Sequence, residues 1–158
     1  MQQIVPFLWF NNQAEEAVKF YTSVFKDSKI ITTSYYGEGG PMPAGTALVV
    51  DFELNGMRMN ALNGGPAYKF TPAISLYIKC NTQEEIDYYW EKLLSGGGRE
   101  DQCGWLNDKY GLSWQVAPPL LGELLQDKDK AKANRVMQAM MKMVKIDIQA
   151  LKDAYDGK

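Results

Sequence analysis

Two segments of this chain spell one pattern 69 residues apart. From Ile4 the chain reads IVPFLWFNNQAEEAVKFYTSVF, and from Ala73 it reads AISLYIKCNTQEEIDYYWEKLL. Sliding one onto the other sets Glu15-Glu16 on Glu84-Glu85, Phe20-Tyr21 on Tyr89-Trp90, and Val24-Phe25 on Leu93-Leu94. Each segment is an apolar run of strand length, a polar turn and a helix. Ala17, Phe20, Tyr21, Val24 and Phe25 fall at helical spacing in the first, as do Ile86, Tyr89, Trp90, Leu93 and Leu94 in the second. Carboxylates in the first turn of each helix suit its dipole. Two such segments in the same order mark a duplicated unit.

Strands after each helix complete the unit. SKIITTSYY and TALVVDFEL read as strands around the loop GEGGPMPAG, and Asn55-Gly56 predicts a tight hairpin into MRMNALN. The stretch GGGREDQCGWLNDKYGLSWQV has room for two short strands and a third. In that third strand Leu112, Trp114 and Val116 alternate with Ser113 and Gln115, Gly111 supplies the turn before it, and Pro118-Pro119 stops it. The expectation is an α+β domain over residues 1–119 built from two βαβββ modules, 1–64 and 73–119, with a linker over 65–72. Residues 120–158 form a C-terminal helical extension, predicted helical throughout, with Asp147 capping a last short segment. Val136, Met140, Val144, Ile148, Leu151 and Tyr155 make its apolar stripe. Four of the eight methionines lie between Met137 and Met143, as packing between helix and sheet or subunits, or as an adaptable lid over a ligand.

Composition narrows the chemistry. There is no histidine, which removes the usual general base near neutral pH, the Ser-His and Cys-His pairs, and the commonest ligand of zinc, iron or nickel. Any catalysis has to run on Asp, Glu, Lys, Tyr or Cys. A net charge of −2 gives no basic footprint for nucleic acid, and no run reaches membrane-span length. The start lacks the positive n-region and apolar core of a signal peptide, and Cys80 and Cys103 alone make no disulfide framework. The expected setting is therefore cytoplasmic.

Paired strand–helix–three-strand modules with Phe20-Tyr21 in the first helix resemble the glyoxalase/bleomycin-resistance/dioxygenase, or vicinal oxygen chelate, superfamily. Within it the segments PFLWFNNQAEEAVKFYTSVF, ALNGGPAYKF, QEEIDYYWEKL, CGWLNDKYGLSWQV and RVMQAMMKM resemble the PhnB-like branch, often labelled 3-demethylubiquinone-9 3-methyltransferase. The resemblance implies curved sheets that together enclose a cavity, and a homodimer. It also implies where metal-binding members place their ligands: on the first and last strands of each module. Those positions fall on Pro6, Ser75, Gln115 and either Asn60 or Ala61. None carries charge, and neutral amides alone hold a hard cation weakly. Gln115 stands where the carboxylate would be, so the expectation is no metal and no cofactor.

The methyltransferase label finds no support in the residues. A Rossmann-type cofactor site needs a glycine-rich turn between strand and helix. GEGGPMPAG leads into a strand, and SGGGRE follows a helix. The expected function is metal-free binding of a small apolar or aromatic molecule in a cavity lined by Leu8, Met59, Asn60, Tyr68, Ser75, Tyr77 and Gln115, with Trp9 or Trp105 near the mouth. Trp114 is assigned to core packing. The alternatives are an enzyme using Tyr35, Tyr36, Glu38, Tyr68 or Asp101 as acid–base groups, and an assembly subunit acting through its Met-rich tail.

Overall fold

The computed structural model describes residue 2 and residues 4–158. Met1 and Gln3, at the start of the expected first module, lie outside the described residues. The chain divides into two compact units, Met1–Phe70 and Thr71–Lys158.

The first unit runs β1 (Phe7–Phe10), α1 (Ala14–Val24), β2 (Ser28–Tyr35), β3 (Ala47–Leu54) and β4 (Met57–Asn63). Its sheet has the order β1-β4-β3-β2, with β1 parallel to β4 and the other pairs antiparallel. Asn55 and Gly56, at φ 45° and 79°, close the β3–β4 hairpin as predicted. Strand alternation sends Leu8, Phe10, Val50, Phe52, Met59 and Ala61 to one buried face. Asn63 shows that α1 lies on that face: from the end of β4 its Oδ1 accepts the Ala14 N–H at 2.8 Å, while Nδ2 donates to Ala47 O at 2.9 Å. Gln13, at the N-cap, makes no side-chain cap bond, so a residue 49 positions away does part of the capping.

The second unit repeats the order: β5 (Leu76–Lys79), α2 (Gln83–Leu94), β6 (Arg99–Glu100), β7 (Trp105–Asn107) and β8 (Ser113–Ala117), in a sheet ordered β5-β8-β7-β6. Here the helix is capped locally. Thr82 accepts from Glu85 N, and Glu85 reaches back to Asn81 N. Ile86 and Leu93 of α2 are fully buried, and Trp90 donates its indole N–H to Glu100 at 3.0 Å. Burying each such large apolar side chain contributes roughly 1.5–3 kcal/mol, as an upper estimate.

The tail is broken where continuous helix was expected. It forms α3 (Pro119–Leu125), α4 (Lys130–Met140) and α5 (Ile148–Asp156). Asp129 caps α4, and Asp147 caps α5 through Ala150 N as predicted. The break before α5 has a physical cause: the chain there leaves the helix to dock on the β6–β7 connection and on α2. Cys103 and Gly104 donate their N–H groups to Met143 O and Val144 O at 2.8 and 2.7 Å. The Gln83 amide donates to Ile146 O and accepts from Ile148 N, while Lys145 pairs with Asp87 at 2.6 Å. Ile146 is fully buried against Gly104, which has no room for a Cβ and a left-handed φ of 82°. Val136 and Leu151 of the expected stripe are fully buried; Met140, Val144, Ile148 and Tyr155 are half-buried.

Candidate functional site

In the second sheet, cross-strand registers set Tyr77 beside Gln115 and Gln115 beside Trp105. The three share the face turned away from α2, because Ile78, Val116 and Leu106 take the other. Tyr77 is 45% exposed, and Gln115 and Trp105 are half-buried. Gln115 Nε2 donates to Ser75 Oγ at 2.9 Å, so the first and last strands share a polar pair beside two aromatic rings. Tyr77 is held above its ordinary value of 10.0, first by burial and then by the nearby Cys80, so it is a neutral phenol at pH 7. One row away Arg99 donates to Asn107 Oδ1 and Asn107 donates to Ser113 Oγ, at 3.1 and 2.7 Å. Arg99 and Asn107 were missed in the sequence. A period-two count from Trp105 reaches Asn107, but that needs the ends of a three-residue strand.

In the first sheet the corresponding face carries Phe7 beside Asn60 and Asn60 beside Asp51. Trp9 donates its indole N–H to Gly65 O at 2.9 Å and meets Tyr68 edge-on at 5.0 Å. Tyr68 itself is 67% exposed. Leu8 and Met59 require a correction as lining residues. At 7% and 0% exposure they belong to the face that α1 covers, because strand alternation turns them from Trp9 and Asn60.

The repeat also needs adjusting by one residue. Its helices match at the spacing read from the sequence, Ala14 to Gln83. The strand faces match one residue further on: the covered pair Leu8–Ala61 answers to Ile78–Val116, and Phe7–Asn60 answers to Tyr77–Gln115. Three residues connect strand to helix in each module, so the faces are exchanged without any change in the length of the connection. Asn60, and not Ala61, is therefore the counterpart of Gln115, and Pro6 is not the counterpart of Ser75.

Neither sheet face offers ligands that fit a divalent metal. In the first unit Phe7 and Asn60 give a ring and an amide, and the carboxylate nearest Asn60 in the ladder, Asp51, is gripped at two points by Arg58; in the second unit Tyr77 and Gln115 give a phenol and an amide. Among the described residues no three His, Cys, Asp or Glu side chains gather as a metal site. A methyl-donor nucleotide fits no better by the Rossmann criterion, because residues 11–13 and 80–82, which lead into α1 and α2, contain no glycine.

The proposed acid–base groups are likewise dispersed or committed. Tyr36 donates to Asn63 O at 2.6 Å, Tyr68 stacks on Trp9, and Asp101 accepts from Gln102 N. Cys80 is buried, and that burial, with Glu85 adding to it, pushes its thiol up to about 12. It is no nucleophile at neutral pH. Asp108 is buried for structural reasons: it accepts from Tyr110 N, Leu112 N and the Trp114 indole, fixing the turn before β8.

The model of the family described as 3-demethylubiquinone-9 3-methyltransferase matches residues 2–117. This chain belongs to that family. A PhnB protein from Bacillus cereus is 42% identical, with a TM-score of 0.68 over 74% of this chain and 99% of that one. Protein PA1353 from Pseudomonas aeruginosa is 21% identical, with a TM-score of 0.59 over 72% and 95%. FosX from Listeria monocytogenes, a fosfomycin resistance protein complexed with Mn(II) and sulfate, is 15% identical, with a TM-score of 0.54 over 78% and 94%. The last two share the fold alone, which is the glyoxalase-like arrangement of βαβββ modules. No curated protein matches the chain. The family match ends at the last residue of β8, so α3, α4 and α5 lie beyond it. Among the described residues no helix is long and apolar enough to cross a membrane.

Proposed function

We propose that this family member is a metal-free binding protein for a small apolar or aromatic molecule, held against the face of the second sheet that carries Ser75, Tyr77, Trp105 and Gln115. The observation that carries the reading is the row Tyr77–Gln115–Trp105 with Gln115 bonded to Ser75. Two half-open rings provide stacking surface, and the amide and hydroxyls fix one polar group of the ligand. The uncharged side chains of this row, Ser75, Tyr77, Trp105 and Gln115, favour binding over metal-assisted chemistry. A transferase would also need a cofactor site that the connections into the helices do not offer.

The test is native mass spectrometry of freshly purified protein, followed by identification of any co-purifying organic molecule. The expected result is a stoichiometric organic ligand and well under one metal per chain by elemental analysis. Its affinity should fall about tenfold, or 1.4 kcal/mol, in Tyr77→Ala or Gln115→Ala. A full equivalent of a transition metal, or a ligand indifferent to both substitutions, would overturn the proposal. We also infer a homodimer formed in part through the C-terminal end of α4, where Met137 and, just past the helix, Met141 remain 40% and 64% exposed. Light scattering on Met141→Lys checks it, with loss of the dimer expected.

A further inference from the structure

The first module has a concavity of its own, separate from the row around Gln115. Asn11, Tyr36, Pro41, Met42, Gly64 and Gly65 line a pocket of about 260 Å³. Its floor is rigidly built. Gly64 lies so close to the Trp9 ring that any Cβ there would collide with the indole. The Trp9 N–H holds Gly65 O at 2.9 Å, and the Tyr36 hydroxyl holds Asn63 O at 2.6 Å. Gly64 and Gly65 donate to Phe10 O and Asn11 O at 2.9 and 3.0 Å. Four hydrogen bonds thus pin residues 63–65. Gly65, at a φ of 84°, meanwhile faces open space, where a Cβ would touch nothing within 4 Å.

The lining states what it accepts. None of these residues is charged, so an ionic ligand would lose hydration without gaining a counter-charge. Tyr36 has committed its hydroxyl to Asn63 and has its ring left to offer, beside Pro41 and the polarisable Met42. Asn11 adds an exposed side-chain amide, the only one in the lining. The volume lies just below the range of about 300–1,000 Å³ typical of drug-sized ligands, which limits the occupant to one or two rings. We propose that this pocket is a second binding site, for an uncharged one- or two-ring aromatic molecule bearing a hydroxyl or amide. Its ring packs on Tyr36 and Met42, and its polar group bonds to Asn11.

Amide-resolved NMR titration of the full chain with phenol, indole and benzamide, and with benzoate as the charged counterpart of benzamide, tests this. The neutral probes should shift the amides of Asn11, Gly64 and Gly65, with benzoate binding at least about tenfold more weakly than benzamide. Asn11→Ala and Met42→Ala alter side chains at the rim and leave the pinned backbone in place; each should weaken benzamide severalfold. Gln115→Ala should leave these titrations unchanged, so failure here and failure of the second-sheet proposal are distinguishable. Unmoved amides, equal binding of benzoate and benzamide, or wild-type affinity in both rim variants would overturn the proposal.

Discussion

The two modules solve the same folding problem by different means. The first turns from β3 into β4 through backbone conformation, Asn55 and Gly56 both at positive φ, with the Ser28 hydroxyl accepting the Asn55 N–H at the surface. The second turns from β7 into β8 around a buried carboxylate, Asp108, which collects three N–H groups. The first caps its helix with Asn63, from the far end of the module; the second caps with Thr82, next to the helix. By the face-matched repeat, Pro118 stands where Asn63 would be, and a proline side chain accepts nothing. The first sheet has two strands of eight residues, whereas the second has β6 and β7 of two and three, and the tail docks beside them. Duplication thus fixes the parallel pairing of first and last strands and the helix across them. Turns, caps and outer strands are free to diverge once some other group satisfies the backbone.

The turns offer the largest test. Asp108→Ala leaves three donors, two of them buried, without their acceptor and should cost about 3–4 kcal/mol, whereas Asn55→Ala should cost about 1 kcal/mol from backbone strain. Urea unfolding of both variants measures the gap, and equal losses would erase the contrast. The caps come next. Asn63→Ala strands Ala14 N and Ala47 O inside the protein, for an expected loss of about 2–3 kcal/mol. Thr82→Ala loses an exposed cap and should cost about 1 kcal/mol.

A smaller effect concerns the tail, which docks on the second module. The Lys145 ammonium, and after it the Gln83 amide, hold Asp87 below its ordinary value of 3.8. Because the folded value is lowered, this contribution is complete above 3.8 and disappears as the pH falls through the folded value. The protection factors of residues 143–148, which allow for the pH dependence of intrinsic exchange, should therefore fall in acid before those of α1 do. Gln83→Ala should lower them at neutral pH. Unchanged protection of 143–148 in that variant would show that buried Ile146 holds the strap without the amide.

How much of the fold was legible in the sequence depends on the range of each signal. The helices, the Asn55-Gly56 hairpin and the Asp147 cap are local patterns, and the chain spells them out. The break at 141–147 is not local: Met140, Val144 and Ile148 keep helical spacing across it, and the bonds from Cys103, Gly104 and Gln83 together with the burial of Ile146 hold the chain out of the helix. Asn63 looks like an ordinary strand end until α1 returns to it. In the candidate site, Ser75 and Gln115 could be named because the resemblance places ligand positions on the first and last strands of a module. Leu8 and Met59 were misplaced because an offset of one residue inverts a strand's faces. The first-module pocket was hidden for a similar reason, since GEGGPMPAG and ALNGGP meet only after the sheet has formed.

The smallest stability effect expected is at the residue with most to say about function. Gln115 is half-buried, and its one side-chain bond goes to Ser75 Oγ, a hydroxyl that water also reaches. Removing such an amide strands no fully buried donor or acceptor, so Gln115→Ala should cost about 0.5 kcal/mol, on the scale of partly exposed positions. Its neighbour in the repeat sharpens the point. Asn60→Ala replaces the matching amide of the first sheet, beside Phe7 and Asp51, and should also change stability by about 0.5 kcal/mol. The two variants should part company in binding. If the second-sheet row is the site, Gln115→Ala loses about tenfold in affinity for the co-purifying ligand while Asn60→Ala retains it. Chemical denaturation and titration of both proteins decide the matter. A loss near 2 kcal/mol in Gln115→Ala would make the amide a structural prop, and equal loss of affinity in both would remove the asymmetry between the modules on which the assignment depends.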